Sequence, residues 1–226
     1  MNEKAQNALL KTLEEPPEYG IIILMGNNPE SFLNTIVSRS VALGFTPAPV
    51  EDIKSFLMKE KRIPDYQAGI AAFASGGCPG LAYSWADSEE FAEKRGEAEK
   101  ILVKLGSFER SQAFLQAQKW AKDKARIEFF LGMCENWIHD VLLIKSLSEM
   151  RRSYDPEERK NEERQIKNAM KHIMFVQEND VLTAQASKLS YEYFERLLKA
   201  ADELRSRLKF NVSTELAFAD FLVNMC

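Results

Sequence analysis

Residues 5–17 read Ala5-Gln6-Asn7-Ala8-Leu9-Leu10-Lys11-Thr12-Leu13-Glu14-Glu15-Pro16-Pro17, and the run Ile21-Ile22-Ile23-Leu24-Met25 and then Ser38-Arg39-Ser40 follow. Ala5, Ala8, Leu9, Thr12 and Leu13 fall at helical spacing, which predicts a short amphipathic helix. Pro16-Pro17 must end it, because proline disfavours the α conformation in the residue before it. The apolar run 21–25, bounded by Gly20 and Gly26, has strand length and suits a strand buried on both faces of a parallel sheet. A helical turn around Glu30–Ile36 leads to a second expected strand, Val41 to Phe45. Two strands and two helices cannot close a doubly wound core, and an isolated strand pair is marginal in water. The expectation is therefore the remnant of an α/β core over residues 1–46, with the rest of its sheet upstream of Met1.

Beyond the linker Thr46-Pro47-Ala48-Pro49 the strand signal disappears. Val50, Ile53, Phe56 and Leu57 mark one short helix. Ile70, Phe73 and Ala74 mark a second, stopped by Gly76-Gly77, and Pro79 opens a third that runs through Trp85. These form a three-helix module over residues 47–87. Over 88–226 the chain reads as a helical bundle with helices at 91–105, 108–121, 125–148, 156–175, 181–208 and 213–225. In the longest of the later segments Leu182, Ala186, Leu189, Tyr193, Leu197, Ala200, Leu204 and Leu208 recur in steps of three and four. The densely mixed charges from Arg151 to Lys171 read as a solvated helix face. The fold class is mainly α.

Lys plus Arg is 30 against Asp plus Glu 34, a net charge of −4 over 226 residues, and 45% of residues are hydrophobic. That composition can bury real cores but supplies no global drive toward nucleic acid or an anionic membrane. No apolar run approaches a bilayer span and the N-terminus lacks a secretory pattern, so a cytoplasmic protein without membrane partners is expected. Cys78, Cys134 and Cys226 are far apart and without a C-x-x-C, which indicates neither a disulfide framework nor a zinc site. His139 and His172 are lone histidines without ligand-spaced partners, and Asn211-Val212-Ser213 is a sequon without chemistry in such a compartment.

A phosphate-cradling loop of the form G-x-x-x-x-G-K-[ST] is absent, as is an acidic cluster closing an apolar strand to hold a metal. The chain is not expected to bind and hydrolyse ATP by itself in the usual way.

Ala5 to Pro17 resembles the N-A-L-L-K-x-L-E-E-P-P helix of the clamp-loader AAA+ proteins, and Thr35-Ile36-Val37-Ser38-Arg39-Ser40 resembles their S-R-C motif. Two matches at the right separation make the signal specific. The resemblance implies that Asn27 stands where the family keeps its sensor-1 polar residue, at the edge of the nucleotide pocket. It also implies that Ser38-Arg39 presents a trans-acting arginine finger to ATP bound by a neighbouring subunit. An arginine in that role spreads positive charge over the transferring phosphoryl oxygens and can be worth roughly 10³–10⁵ in rate. The plain alternative is a surface arginine in a turn. Ser40 replaces the family's cysteine, a change expected to affect only local packing.

The family's ATP-hydrolysing subunits begin the last lid helix with G-x-x-R, whose arginine senses the subunit's own nucleotide; here Gly77-Cys78-Pro79-Gly80 puts Gly80 in that place. Loss of that sensor with the finger retained resembles the family's non-hydrolysing type, whose G-G-x-P-G-x-A segment Gly76–Ala82 also resembles. An ordinary helix start after glycines accounts for the same residues. Trp137, His139, Asp140 and Leu142–Lys145 resemble the family's W-x-x-D-L-L-L-x-K helix, and Asn211–Ala217 its closing N-V-N-P-x-L-A helix, with Ser-Thr for Asn-Pro.

The resemblance thus implies the end of an AAA+ core (1–46), a three-helix lid (47–87) and a helical collar that joins a pentamer (88–226). Implied partners are gamma/tau and delta clamp-loader subunits, and through them the sliding clamp and primed DNA. ATP and Mg would be bound by neighbouring subunits, with no cofactor or metal in this chain. Two other readings stay open: a fragment of a gamma/tau-type ATPase, which Gly80 argues against, and a general helical scaffold of AAA+ ancestry. A DNA-binding module is disfavoured by the acidic balance and by the lack of a basic stripe interleaved with aromatics.

Overall fold

The computed structural model describes residues 2–26, 28–149, 156–170, 173–210 and 212–226. Asn27, His172, Asn211 and the ends of the Arg151–Lys171 stretch lie outside the described residues. Twelve α-helices and two 3₁₀ turns account for the regular structure among the described residues, without a strand. The chain divides into two compact units, Met1–Thr46 and Pro47–Cys226.

The first unit holds helix α1 (Glu3–Glu14), a 3₁₀ turn (Pro29–Ser31) and the single-turn helix α2 (Asn34–Val37). Asn2 caps α1, its side chain accepting the Ala5 N–H at 2.9 Å. The helix stops at Glu14, two residues before Pro16, as the proline pair requires. Gln6, on the buried face of α1, ties it to the 3₁₀ turn: its Nε2 donates to the Ser31 carbonyl at 3.0 Å, and its Oε1 accepts the Leu33 N–H at 2.7 Å.

The two expected strands are not formed. Residues 21–26 and 41–45 are irregular, and Ile21, Ile23, Met25, Val41, Leu43 and Phe45 are all more than three-quarters exposed. A strand exists through its ladder partners, and within this unit the two runs have no ladder to join.

In the second unit, α3 (Val50–Lys61), α4 (Asp65–Ala74) and α5 (Pro79–Trp85) enclose a small core of Ile53, Leu57, Ala68, Ala71, Ala72, Ala82 and Ala86. Its alanines let three short helices approach closely. The chain turns from α4 to α5 through Gly76 and Gly77, both at positive φ, where a side chain would be strained. Pro47 lies directly over Gly77, and the Ala48 N–H donates to the Gly77 carbonyl at 2.9 Å. Part of the expected linker is therefore packed onto the α4–α5 turn.

The larger core is built by α6 (Glu89–Leu102), α7 (Arg110–Trp120), α8 (Lys124–Glu149), α10 (Asn179–Lys188), α11 (Tyr191–Leu208) and α12 (Thr214–Val223), with α9 (Pro156–Met170) between α8 and α10 in sequence. The 26-residue α8 runs through it and buries Ile127, Phe130, Leu131, Met133, Cys134, Trp137, Ile138, Val141 and Ile144. Trp120, Phe130, Phe218 and Phe221 interlock at centroid distances of 5.4–6.4 Å, in the stacked and edge-on arrangements aromatic pairs favour. Ile70, Phe73 and Ala74 of α4 pack on this larger core, and Trp85 stacks on Phe91 at 5.0 Å. The three-helix segment and the bundle thus belong to one unit with two hydrophobic clusters.

The expected helix over 181–208 is two helices. Leu189 is extended (φ −95°, ψ 143°), and Ser190 caps α11 by accepting the Tyr193 N–H at 3.2 Å. Each half keeps its apolar face inward, so the break leaves the periodicity nearly intact. Of the helix expected over 156–175, Pro156–Met170 is helical and residues 173–175 are not, where Asp140 holds the chain. The Asp140 carboxylate, fully buried, accepts the N–H groups of Met174 and Phe175 at 2.8 and 3.0 Å. Among the described residues no helix is long and apolar enough to cross a membrane.

Candidate functional site

Arg39 follows the C-terminal end of α2. The Ser38 N–H closes that turn on the Asn34 carbonyl at 2.9 Å, and the Arg39 N–H donates to the Ile36 carbonyl at 3.1 Å. Ile36, 1% exposed, anchors the turn from inside. The hydroxyl of Ser40 donates to the Ile36 carbonyl at 2.8 Å, so the serine at this position satisfies a helix-end acceptor.

The guanidinium of Arg39 folds back along the turn. Its Nη1 donates to the Thr35 carbonyl at 3.0 Å and lies 3.4 Å from the Ser38 Oγ, while Nη2 pairs with the Glu14 carboxylate at 2.8 Å. The Arg39 side chain is 39% exposed and that of Glu14 50%. A cation at a helix C-terminus is favoured by the partial negative charge of the last carbonyls. The result is a half-exposed, oriented guanidinium at the surface of the first unit, with the planar fork geometry that suits phosphate oxygens.

Ser38 and Arg39 are therefore brought together, and Glu14 joins them. Glu14 was not singled out from the sequence, because an ion pair across 25 residues leaves no local pattern; its place in the helix ahead of Pro16-Pro17 was the only available signal. Asn27 lies outside the described residues. Gly80 sits in the first turn of α5 in the second unit, and a Cβ built there meets nothing within 4 Å, so the position is open to a side chain. Among the described residues no group of three or more His, Cys, Asp or Glu is arranged to hold a metal ion.

His139 and Asp140, read from the α8 motif, form a structural pair. The His139 Nδ1 lies 3.2 Å from Asp140 Oδ1, and this hydrogen bond raises the imidazole pKa against the opposing effect of partial burial. Trp137, from the same motif, donates its indole N–H to Gln185 Oε1 at 2.8 Å. Burial pushes the Cys134 thiol up to about 12, which leaves it inert as a nucleophile.

Residues 1–49, which include Glu14 and Arg39, match the family described as "DNA polymerase III, delta subunit". The chain is also 29% identical over 148 residues to DNA polymerase III subunit delta' of Bacillus subtilis (strain 168). That match covers 64% of this chain and 44% of the relative. The chain is thus similar to a delta prime subunit. A second relative, DNA polymerase III subunit delta' of Escherichia coli (strain K12), is 35% identical over 82 residues, covering 36% of this chain and 25% of its own. The chain matches less than half the length of either relative.

Proposed function

We propose that this chain is part of a clamp-loader subunit of the bacterial replicative DNA polymerase, and that Arg39 acts in trans on ATP bound by a neighbouring subunit. The observation that carries this reading is the Arg39 corner: a surface guanidinium oriented by Thr35 and Glu14, inside the segment that matches the DNA polymerase III family. The guanidinium supplies positive charge where negative charge develops on a transferring phosphoryl group. Ser38 steadies the turn that carries it.

Residues 88–226 would serve as a collar that joins the other subunits, and residues 47–87 as a lid-like element. Supporting the collar role are apolar side chains that the bundle leaves outside its own core, among them Phe114, Leu115, Phe210 and Leu216, each more than half exposed. A glycine at position 80, where the family's hydrolysing subunits carry a sensing arginine, accords with a chain that assists hydrolysis at a neighbour's site. The partners in this reading are gamma/tau and delta subunits, and through them the sliding clamp and primed DNA.

The test is assembly. Light scattering after size exclusion would be run on the full-length protein mixed with the gamma or tau and delta subunits of the same organism. A single co-eluting complex with one copy of this protein is expected. Separate elution under conditions where the remaining subunits associate would refute the role.

A further inference from the structure

We propose that Glu14 restrains Arg39: it holds the guanidinium against its own unit until a polyphosphate anion displaces the carboxylate. The inference rests on the reading of Arg39 as a trans-acting finger and adds a residue and a mode of regulation to it.

Glu14 is the last residue of α1, where the helix end carries partial negative charge and a carboxylate is out of place. Its compensation is the Arg39 Nη2 at 2.8 Å. At that distance a full negative charge cancels much of the field that the guanidinium would project onto a phosphoryl group. A finger working at full strength must therefore leave Glu14. The geometry permits this, because the two ends of the fork are held differently. Nη1 is anchored on the neutral Thr35 carbonyl, part of the turn itself, whereas Nη2 is held by a side chain from another helix. Nη2 can exchange partners while Nη1 keeps its hydrogen bond. Both side chains are 39% or more exposed, so the pair is weak enough to be opened by an anion carrying several charges.

The experiment uses the full-length protein reconstituted into the loader, with hydrolysis followed at the ATP site that adjoins this subunit and the other sites inactivated in their phosphate loops. Glu14→Gln keeps an acceptor oxygen and removes the charge. The expected result is a two- to fivefold fall in the apparent KM for ATP with kcat undiminished; fivefold is about 1 kcal/mol at 1.4 kcal/mol per decade, the upper range for an exposed pair. In an Arg39→Ala background the same substitution should have no effect, a non-additivity that a purely structural role would not produce. A fall in kcat for Glu14→Gln, unchanged kinetics, or an effect that persists without Arg39 would each overturn the restraint. If Arg39→Ala alone retained wild-type kinetics, the finger reading itself would fall and the restraint with it, an outcome distinct from the other three.

Discussion

Trp137 and Gln185, 48 residues apart in sequence, meet in the core: the indole N–H donates to the Gln185 carboxamide at 2.8 Å. The Gln185 Nε2 in turn donates to the carbonyls of Leu102 and Val103 at 3.0 and 3.1 Å, so one buried side chain ties α8, α10 and the end of α6 together.

Gln185→Leu leaves the indole N–H and the Val103 carbonyl without this partner inside the bundle, while the Leu102 carbonyl keeps the Leu105 N–H. Each unsatisfied buried group costs about 1–3 kcal/mol, so a loss of about 2–4 kcal/mol is expected in urea unfolding, with the m-value unchanged.

Asp140 and His139 make a pH-dependent contribution. The His139 pKa is raised by the Asp140 hydrogen bond, so its stabilising effect is fully present below the ordinary imidazole value of 6.5 and is lost as pH rises through the folded-state value. The His139 side chain is 61% exposed, and solvent screening limits the effect to about 0.5 kcal/mol or less. Denaturation midpoints measured from pH 5 to 8 should show this small decline in the wild type and lack it in His139→Gln. Asp140→Asn should cost more at every pH, about 2–3 kcal/mol, because the charge-assisted bonds to the Met174 and Phe175 N–H groups are weakened.

Two glycines three positions apart, Gly77 and Gly80, should respond oppositely. Gly77 has φ +84° and its added Cβ would lie 2.4 Å from the Pro47 Cβ, so Gly77→Ala should destabilise by about 1–3 kcal/mol. Gly80 lies in helical backbone with open space around it, and Gly80→Ala should stabilise by about 0.5–1 kcal/mol. Thermal melting of the two variants side by side reads the sign directly.

Ser190→Ala removes the cap that starts α11 and should cost about 1 kcal/mol in chemical denaturation. Ser190→Asp, which retains the capping acceptor, should restore most of it.

These positions also show what the residues alone disclose. Pro79 marked the start of α5 and Gly76-Gly77 the end of α4, because proline and positive-φ glycine act through local backbone geometry. The break at Leu189-Ser190 was hidden, since both helices bury faces of the same period and a serine cap is a weak signal inside an apolar stripe. The strand-like runs 21–25 and 41–45 have strand composition, but pairing is a non-local property that the described residues do not supply. The flanking motif drew attention to Arg39 but not to Glu14, because the pair forms only when α1 and α2 meet.

In the proposed function, Arg39 acts on a neighbour's ATP. Its most direct test is the turnover rate at the adjoining ATPase site of the reconstituted loader, with Arg39→Ala and Arg39→Lys compared to wild type. A fall of a hundredfold or more is expected for alanine, with lysine recovering only part of it because a point charge lacks the planar fork. A wild-type rate for Arg39→Ala in a fully assembled complex would contradict it.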